Sequence, residues 1–167
     1  MKSKKIILLL IAAFLLFAAI SLGLSQKKTA PAITFTSLKG EQVLLSNMRG
    51  KVVLVNFWAT SCPGCIKEMP ELVSTYQKFH AKGFETIAVA MSYDPPNYVL
   101  TYAEKNALPF IVALDIKGEA ARAFDDVKLT PTSFLIDKQG NIIQQTLGEP
   151  DFAKLHALIE EKLKETT

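Results

Sequence analysis

The sequence contains two cysteines, Cys62 and Cys65, separated only by Pro63 and Gly64. A structural disulfide stabilises a protein mainly by restricting the unfolded chain, and this effect grows with the length of the loop that the bridge closes. A loop with only two residues inside it offers almost no such stabilisation. The spacing therefore favours redox chemistry, in which the pair alternates between a dithiol and a disulfide.

A helix is predicted to begin at or just before Cys62, because apolar residues recur at three- and four-residue spacing between Met69 and Phe79. Unpaired N–H groups and the helix dipole stabilise negative charge at the start of a helix. We therefore expect Cys62 to be the thiolate that attacks a substrate disulfide. Cys65 lies one turn further along the same helix, and we expect it to resolve the mixed disulfide that forms.

Strand and helix patterns alternate around these cysteines. Residues 51–59 form a continuous apolar run rich in β-branched residues, which is typical of a strand buried on both faces of a sheet. Further along the chain come two more buried strands with helices between them, a β-hairpin, and a last helix capped by Asp151. The order βαβαβα followed by ββα predicts an α/β fold with three layers, in which helices cover both faces of a mixed central sheet.

Three short segments precede the first buried strand. Residues 25–31 are polar and are interpreted as a linker. Residues 33–45 are expected to form an N-terminal β-hairpin, with its turn at Lys39 and Gly40. Ser46 is expected to cap a short turn that ends near Gly50.

The first 26 residues differ in composition from the rest of the chain. Three lysines precede an uncharged run from Ile6 to Leu24, which as a helix would measure about 28 Å, close to the hydrocarbon thickness of a membrane. This length favours an uncleaved signal-anchor at residues 1–26 over a cleaved signal peptide, whose apolar core is usually shorter. The lysines predict that the N-terminus lies in the cytoplasm.

Residues 27–167 are then expected to form one domain on the extracytoplasmic (periplasmic) side of a bacterial cytoplasmic membrane, held by a single-pass anchor. After the anchor the chain carries 16 basic and 16 acidic residues. This balance gives no indication of a nucleic-acid-binding surface. Disulfides persist in oxidising compartments outside the cytoplasm, so a lone adjacent pair there is expected to cycle between its two redox states.

Several motifs together resemble the thioredoxin superfamily. They are "NMRGKVVLVNFWATSCPGCIKEMPEL", "GFETIAVAMSYD" with an extra αβ segment, and "LTPTSFLIDKQGNII". Within the superfamily the chain is similar to the TlpA/ResA/CcmG-like membrane-anchored thiol:disulfide oxidoreductases, which include cytochrome c maturation proteins. The resemblance implies a thioredoxin-like α/β/α fold and a reductase of disulfides in exported proteins such as apocytochrome c. It also implies an integral-membrane thiol donor of electrons, and we expect neither a cofactor nor a metal.

The resemblance assigns roles to three residues outside the cysteine pair. It implies a cis peptide bond between Thr130 and Pro131, on a loop that faces the cysteines, where the backbone of Thr130 would pair with an extended substrate segment. In the alternative interpretation, Pro131 merely begins an edge strand. Trp58 is expected to pack beneath the active-site turn, with direct substrate binding as its second possible role.

Glu68 lies three residues after Cys65 and therefore on the same helix face. We hypothesise that its carboxylate raises the pKa of both cysteines, makes the couple more reducing and accepts a proton from Cys65. The alternative is a solvated helix acid.

Two residues depart from related proteins. Asn56 occupies the position of the buried aspartate of cytosolic thioredoxins, and Ser61 occupies the position of the family's second tryptophan.

Three other activities stay open on the sequence alone. A thiol oxidase or isomerase would use the same cysteines and differ in reduction potential. A Cu(I)-handling protein would add a histidine ligand to the two thiolates, although His80 and His156 are more typical of surface or boundary positions. A peroxidase would need a proline–threonine setting around its cysteine that this sequence lacks.

Overall fold

The computed structural model describes residues 28–166, in which eight strands and four α-helices are seen. The strands are β1 (Lys28–Thr29), β2 (Thr34–Thr36), β3 (Gln42–Leu44), β4 (Val52–Trp58), β5 (Phe84–Ala90), β6 (Ile111–Leu114), β7 (Thr132–Ile136) and β8 (Asn141–Leu147). The helices are α1 (Pro63–Phe79), α2 (Pro96–Lys105), α3 (Glu119–Ala123) and α4 (Phe152–Lys164), with 3₁₀ helices at Leu45–Met48 and His80–Lys82.

Six of the strands form one mixed sheet in the order β1-β8-β7-β4-β5-β6. β4, β5 and β6 run parallel to one another, whereas β7, β8 and β1 pair antiparallel with their neighbours. The strands β2 and β3 form the expected N-terminal hairpin, which is a separate two-stranded sheet. The predicted thioredoxin-like α/β fold with a mixed central sheet is confirmed.

Two hydrophobic clusters cover the two faces of the sheet. On one face, Leu54 and Trp58 of β4 pack in a cluster that α1, α2 and α4 complete. On the other face, Val55 and Phe57 of the same strand pack with α3 and the hairpin, whose main contribution is Phe35. All seven residues of β4 are buried, as its continuous apolar pattern predicts, so the turn that follows β4 starts from a rigid support.

The predicted linker at residues 25–31 is partly wrong, because Lys28 and Thr29 form β1 and pair with Asn141 and Ile142 at the edge of β8. Backbone groups make this pairing, so the polar side chains neither predict nor prevent it. The predicted cap at Ser46 is also wrong. Ser46 lies inside the first 3₁₀ helix, whose cap position is Leu44 without a side-chain hydrogen bond.

The expected signal-anchor at residues 1–26 lies outside the described residues. Within residues 28–166, no helix combines the length and apolarity needed to cross a membrane.

The last helix, α4, begins as predicted, because the carboxylate of Asp151 accepts a hydrogen bond from the N–H of Lys154 at 3.2 Å.

Candidate active site

The cysteine pair lies at the junction of β4 and α1. Cys62 is the N-cap residue of α1, and its N–H donates to the carbonyl of Ala59 at 3.1 Å. The Cys62 sulfur accepts the N–H of Cys65 at 3.2 Å. The N–H of Cys65 belongs to the first helical turn, where backbone N–H groups have no partner within the helix. It points at the Cys62 sulfur, which is the arrangement that stabilises a thiolate.

Cys62 and Cys65 form a disulfide, with their Cα atoms 5.3 Å apart. Cys62 is partly exposed, whereas Cys65 is completely buried. A substrate can therefore reach the first sulfur and not the second. This difference supports the expected order of attack, in which Cys62 reacts first and Cys65 resolves from within the protein.

A second loop faces the cysteines from the start of β7. The peptide bond between Thr130 and Pro131 is cis. The side chain of Pro131 approaches Gly64, where a Cβ atom would lie 3.5 Å from the Pro131 Cδ. Because β7 pairs directly with β4, this loop lies beside the turn that carries the cysteines. The geometry agrees with the arrangement that the family resemblance implied.

Glu68 is fully buried on the inner face of α1. Its Oε1 accepts a hydrogen bond from the Nδ2 of Asn56 at 2.8 Å, and the same amide group donates to the hydroxyl of Ser133 at 2.9 Å. Its Oε2 is buried and has no hydrogen-bond partner among the described residues. The alternative of a solvated helix acid is therefore wrong.

Burial raises the pKa of the Glu68 carboxyl to about 7, and the charge of Glu149 adds to this increase. The hydrogen bond from Asn56 opposes both effects, since it stabilises the ionised form. Glu68 is thus poised to take up or release a proton near neutral pH. A group with this property one helical turn after Cys65 is suited to accept the proton of the resolving thiol.

Trp58 ends β4 with a completely buried side chain. Its indole ring packs against the ring of Tyr102 on α2, with the ring centroids 5.3 Å apart. This position agrees with packing beneath the active-site turn. Direct substrate binding, the second role considered for Trp58, conflicts with its complete burial.

Asp94, which lies in the loop after β5, contributes to the site in a way that was not predicted from the sequence. Its nearly buried carboxylate accepts hydrogen bonds from the N–H and the hydroxyl of Thr60, both at 2.6 Å. Thr60 is two residues before Cys62, so these hydrogen bonds connect the loop after β5 to the active-site turn. An acid shortly after a predicted buried strand is the only signal that the sequence offered.

Replacing Asp94 by alanine is expected to destabilise the protein by about 2 kcal/mol, because two hydrogen bonds are lost and the Thr60 N–H is left without its partner. Urea unfolding of the oxidised protein measures this change. Thr60→Val removes only the hydroxyl and should cost about half as much. If Asp94→Ala were as stable as the wild type, the hydrogen bonds between Asp94 and Thr60 would not stabilise the protein as proposed.

Neither histidine lies near the cysteines. His156 is within hydrogen-bond distance of Thr75, roughly 20 Å along α1 from its first residues, and His80 follows the end of the same helix. Among residues 28–166, no group of three or more histidine, cysteine or acidic side chains is placed to hold a metal ion. The copper-binding alternative therefore lacks its third ligand in this part of the chain.

Comparisons with known proteins agree with this geometry. The sequence model of the Redoxin family matches residues 25–159. The chain is 39% identical over 140 residues to the thiol-disulfide oxidoreductase ResA of Bacillus thuringiensis subsp. konkukian (strain 97-27), which covers 84% of this chain and 78% of the relative.

Solved structures show the same likeness. A candidate thioredoxin from Neisseria meningitidis superposes with a TM-score of 0.78 and 40% identity, over 84% of this chain and 93% of that protein. A thiol:disulfide interchange protein of the thioredoxin family from Chlorobium tepidum TLS has a TM-score of 0.76 and 26% identity, over 83% and 98% of the two chains. With its cysteine pair at the start of α1, this chain belongs to the Redoxin family of thioredoxin-like proteins and is a thiol:disulfide oxidoreductase.

Proposed function

We propose that this protein works as a reductase of disulfides in exported proteins. The observation that carries the proposal is the fully buried Glu68, one helical turn after Cys65 and without a cationic partner in its hydrogen-bond network. An ionised carboxylate there repels a thiolate and so destabilises the reduced form of the pair. Destabilising the dithiol makes it a stronger electron donor.

The reaction begins with the reduced protein. The Cys62 thiolate attacks one sulfur of the substrate disulfide, forms a mixed disulfide and releases the other substrate sulfur as a thiolate, which takes up a proton. Glu68 then accepts the proton of Cys65, and the Cys65 thiolate attacks the Cys62 sulfur. The substrate leaves with both sulfurs reduced, and the two electrons have come from the Cys62 and Cys65 thiols.

The proposed location is the extracytoplasmic side of a bacterial cytoplasmic membrane. It is supported by the uncharged run from Ile6 to Leu24 and by the three lysines before it. In this location the Cys62–Cys65 disulfide needs a source of electrons after each turnover. An integral-membrane thiol donor meets this need, because it can carry electrons across the membrane from the cytoplasm.

Apocytochrome c is the proposed substrate among exported proteins. The support is the similarity of the sequence motifs to the group that includes cytochrome c maturation proteins. Apocytochrome c must present two free thiols for haem attachment, so a disulfide formed in an oxidising compartment has to be reduced first. A protein with a reachable Cys62 and a buried Cys65 is suited to this task.

The midpoint potential of the cysteine pair tests the direction of electron flow. The protein is equilibrated with thiol–disulfide buffers, and the oxidised fraction is read from alkylation of free thiols. A reductase is expected to have a midpoint at or below about −200 mV. A midpoint well above this value would instead favour the oxidase or isomerase alternative. Cys62→Ser serves as the control that cannot form the disulfide.

A further inference from the structure

Tyr93 reaches across the end of the strand that carries the cysteines. Its hydroxyl lies 3.2 Å from the hydroxyl of Thr130, and the two groups share a hydrogen bond. Tyr93 follows β5 and Thr130 precedes β7, while β4 lies between these two strands in the sheet. The contact must therefore pass over the end of β4, beside the turn that leads to Cys62.

The loop that carries Tyr93 is held in a fixed position. The N–H of Met91 donates to the carbonyl of Trp58 at 3.0 Å, and the N–H of Asp94 donates to the carbonyl of Met91 at 2.9 Å. The carboxylate of Asp94 in turn accepts the two hydrogen bonds from Thr60. Tyr93 is thus flanked by two residues that are both fastened to the end of β4 and its turn.

Large apolar side chains are exposed around the same loop. Tyr93 is 56% exposed, Leu129 is 62% exposed and Leu147 is 64% exposed. Leu129 precedes Thr130 directly, and Leu147 pairs with Thr132 in the sheet. We call Tyr93, Leu129 and Leu147 the apolar rim. Exposed apolar groups gathered at the end of the sheet from which the turn to Cys62 leaves are expected to contact a partner rather than water.

Two ion pairs lie next to members of the apolar rim in the sequence. Lys67, in the first turns of α1, lies 2.6 Å from the carboxylate of Glu149, which is two residues after Leu147. Lys128 lies 3.0 Å from the carboxylate of Asp126. Each of these two pairs offsets a charge next to the rim, so we expect the exposed rim side chains to select a substrate by apolar contact.

We infer that Tyr93 determines substrate specificity, because its ring favours substrates that carry an apolar side chain next to their disulfide-bonded cysteine. The hydrogen bond between the hydroxyls of Tyr93 and Thr130 orients the Tyr93 ring. It uses the side chain of Thr130, so the Thr130 backbone can pair with the substrate. This inference rests on the proposed function, in which the substrate is a polypeptide disulfide that binds beside Thr130 and Pro131.

Two synthetic peptides test the inference. Each has one cysteine, is oxidised to its symmetrical dimer, and differs from the other only in having leucine or serine on both sides of the cysteine. The pre-reduced full chain is mixed with each dimer, and one dimer becomes two thiol peptides while Cys62 and Cys65 form their disulfide. We expect the second-order rate constant of this single turnover to be about tenfold higher for the leucine peptide in the wild type.

Variants of Tyr93 separate its ring from its hydroxyl. Tyr93→Ala should bring the ratio of the two rate constants close to one, whereas Tyr93→Phe should keep most of the preference. Leu44→Ala, which removes an exposed leucine from the hairpin, should keep the wild-type ratio. High salt should also leave the ratio unchanged, because the contact is apolar.

Three results would overturn the inference: no preference in the wild type, a preference that survives Tyr93→Ala, or a preference that disappears at high salt. Failure of the proposed function would look different. In that case the midpoint potential would be too high for a reductase, and the same two peptides in reduced form would still show whether Tyr93 selects the apolar one during oxidation.

Discussion

Cys65→Ser is expected to accumulate a covalent adduct between Cys62 and its substrate. The variant keeps the partly exposed Cys62 at the start of α1 but loses the buried Cys65 that resolves the mixed disulfide. Non-reducing electrophoresis of cell envelopes should show the adduct as a band that disappears on reduction. Mass spectrometry of that band would identify the natural partner.

Cys62→Ser is the matched control for this experiment. It should form almost no adduct and lose disulfide exchange, because Cys65 is completely buried and no substrate sulfur can reach it. The assignment of roles would be wrong if this variant trapped substrates through Cys65 as readily as Cys65→Ser does through Cys62. The double variant establishes the background of both measurements.

Glu68→Gln is expected to change the pH dependence of stability strongly. The pKa of Glu68 is raised from 4.5 to about 7 in the folded protein, mainly by burial. The folded state therefore holds a proton that the unfolded chain releases, and the wild type loses stability as the pH rises from about 4.5 to about 7. The loss amounts to about 3 kcal/mol and stays constant above this range.

Urea unfolding of the oxidised protein at about pH 4 and about pH 8 measures this effect. Relative to the wild type, Glu68→Gln should be about 3 kcal/mol more favourable at the higher pH than at the lower one. Glu71→Gln, which changes an exposed acid on the same helix, is the matched control for removing a carboxylate. A similar pH profile for Glu68→Gln and the wild type would contradict a buried carboxyl with a raised pKa.

The same variant tests the redox role of Glu68. Removing the carboxylate should lower the pKa of the cysteine thiols and raise the midpoint potential, because the thiolate no longer faces a negative charge. Unchanged thiol pKa values together with an unchanged potential would eliminate Glu68 from the proposed mechanism and leave it only a structural role.

Most of the fold and the position of the cysteine pair could be predicted from local sequence patterns. The apolar run of β4, the helical spacing after Met69 and the Asp151 cap each depend on neighbours in the sequence, and all three occur as predicted. The position of the cysteine pair at the start of α1 follows from the same spacing. The burial of Glu68 did not follow from the spacing alone, because a solvated helix acid stayed open as the alternative until the structure showed the side chain to be buried.

Contacts between distant loops could not be predicted in this way. Tyr93 and Thr130 are 37 residues apart, and Asp94 and Thr60 are 34 apart. Whether their side chains meet depends on the strand order in the sheet and on the path of each loop. The strand β1 escaped prediction for a related reason, since it is stabilised by backbone pairing to β8 and not by its own side chains.

Site-resolved alkylation of the reduced protein shows whether the Cys62 sulfur at the start of α1 is the reactive group. Brief treatment with iodoacetamide over a range of pH, followed by mass spectrometry of the peptides, measures the reactivity of each thiol. We expect Cys62 to be labelled first, as a thiolate, and Cys65 to be protected by its burial. Equal labelling of both cysteines, or faster labelling of Cys65, would contradict it.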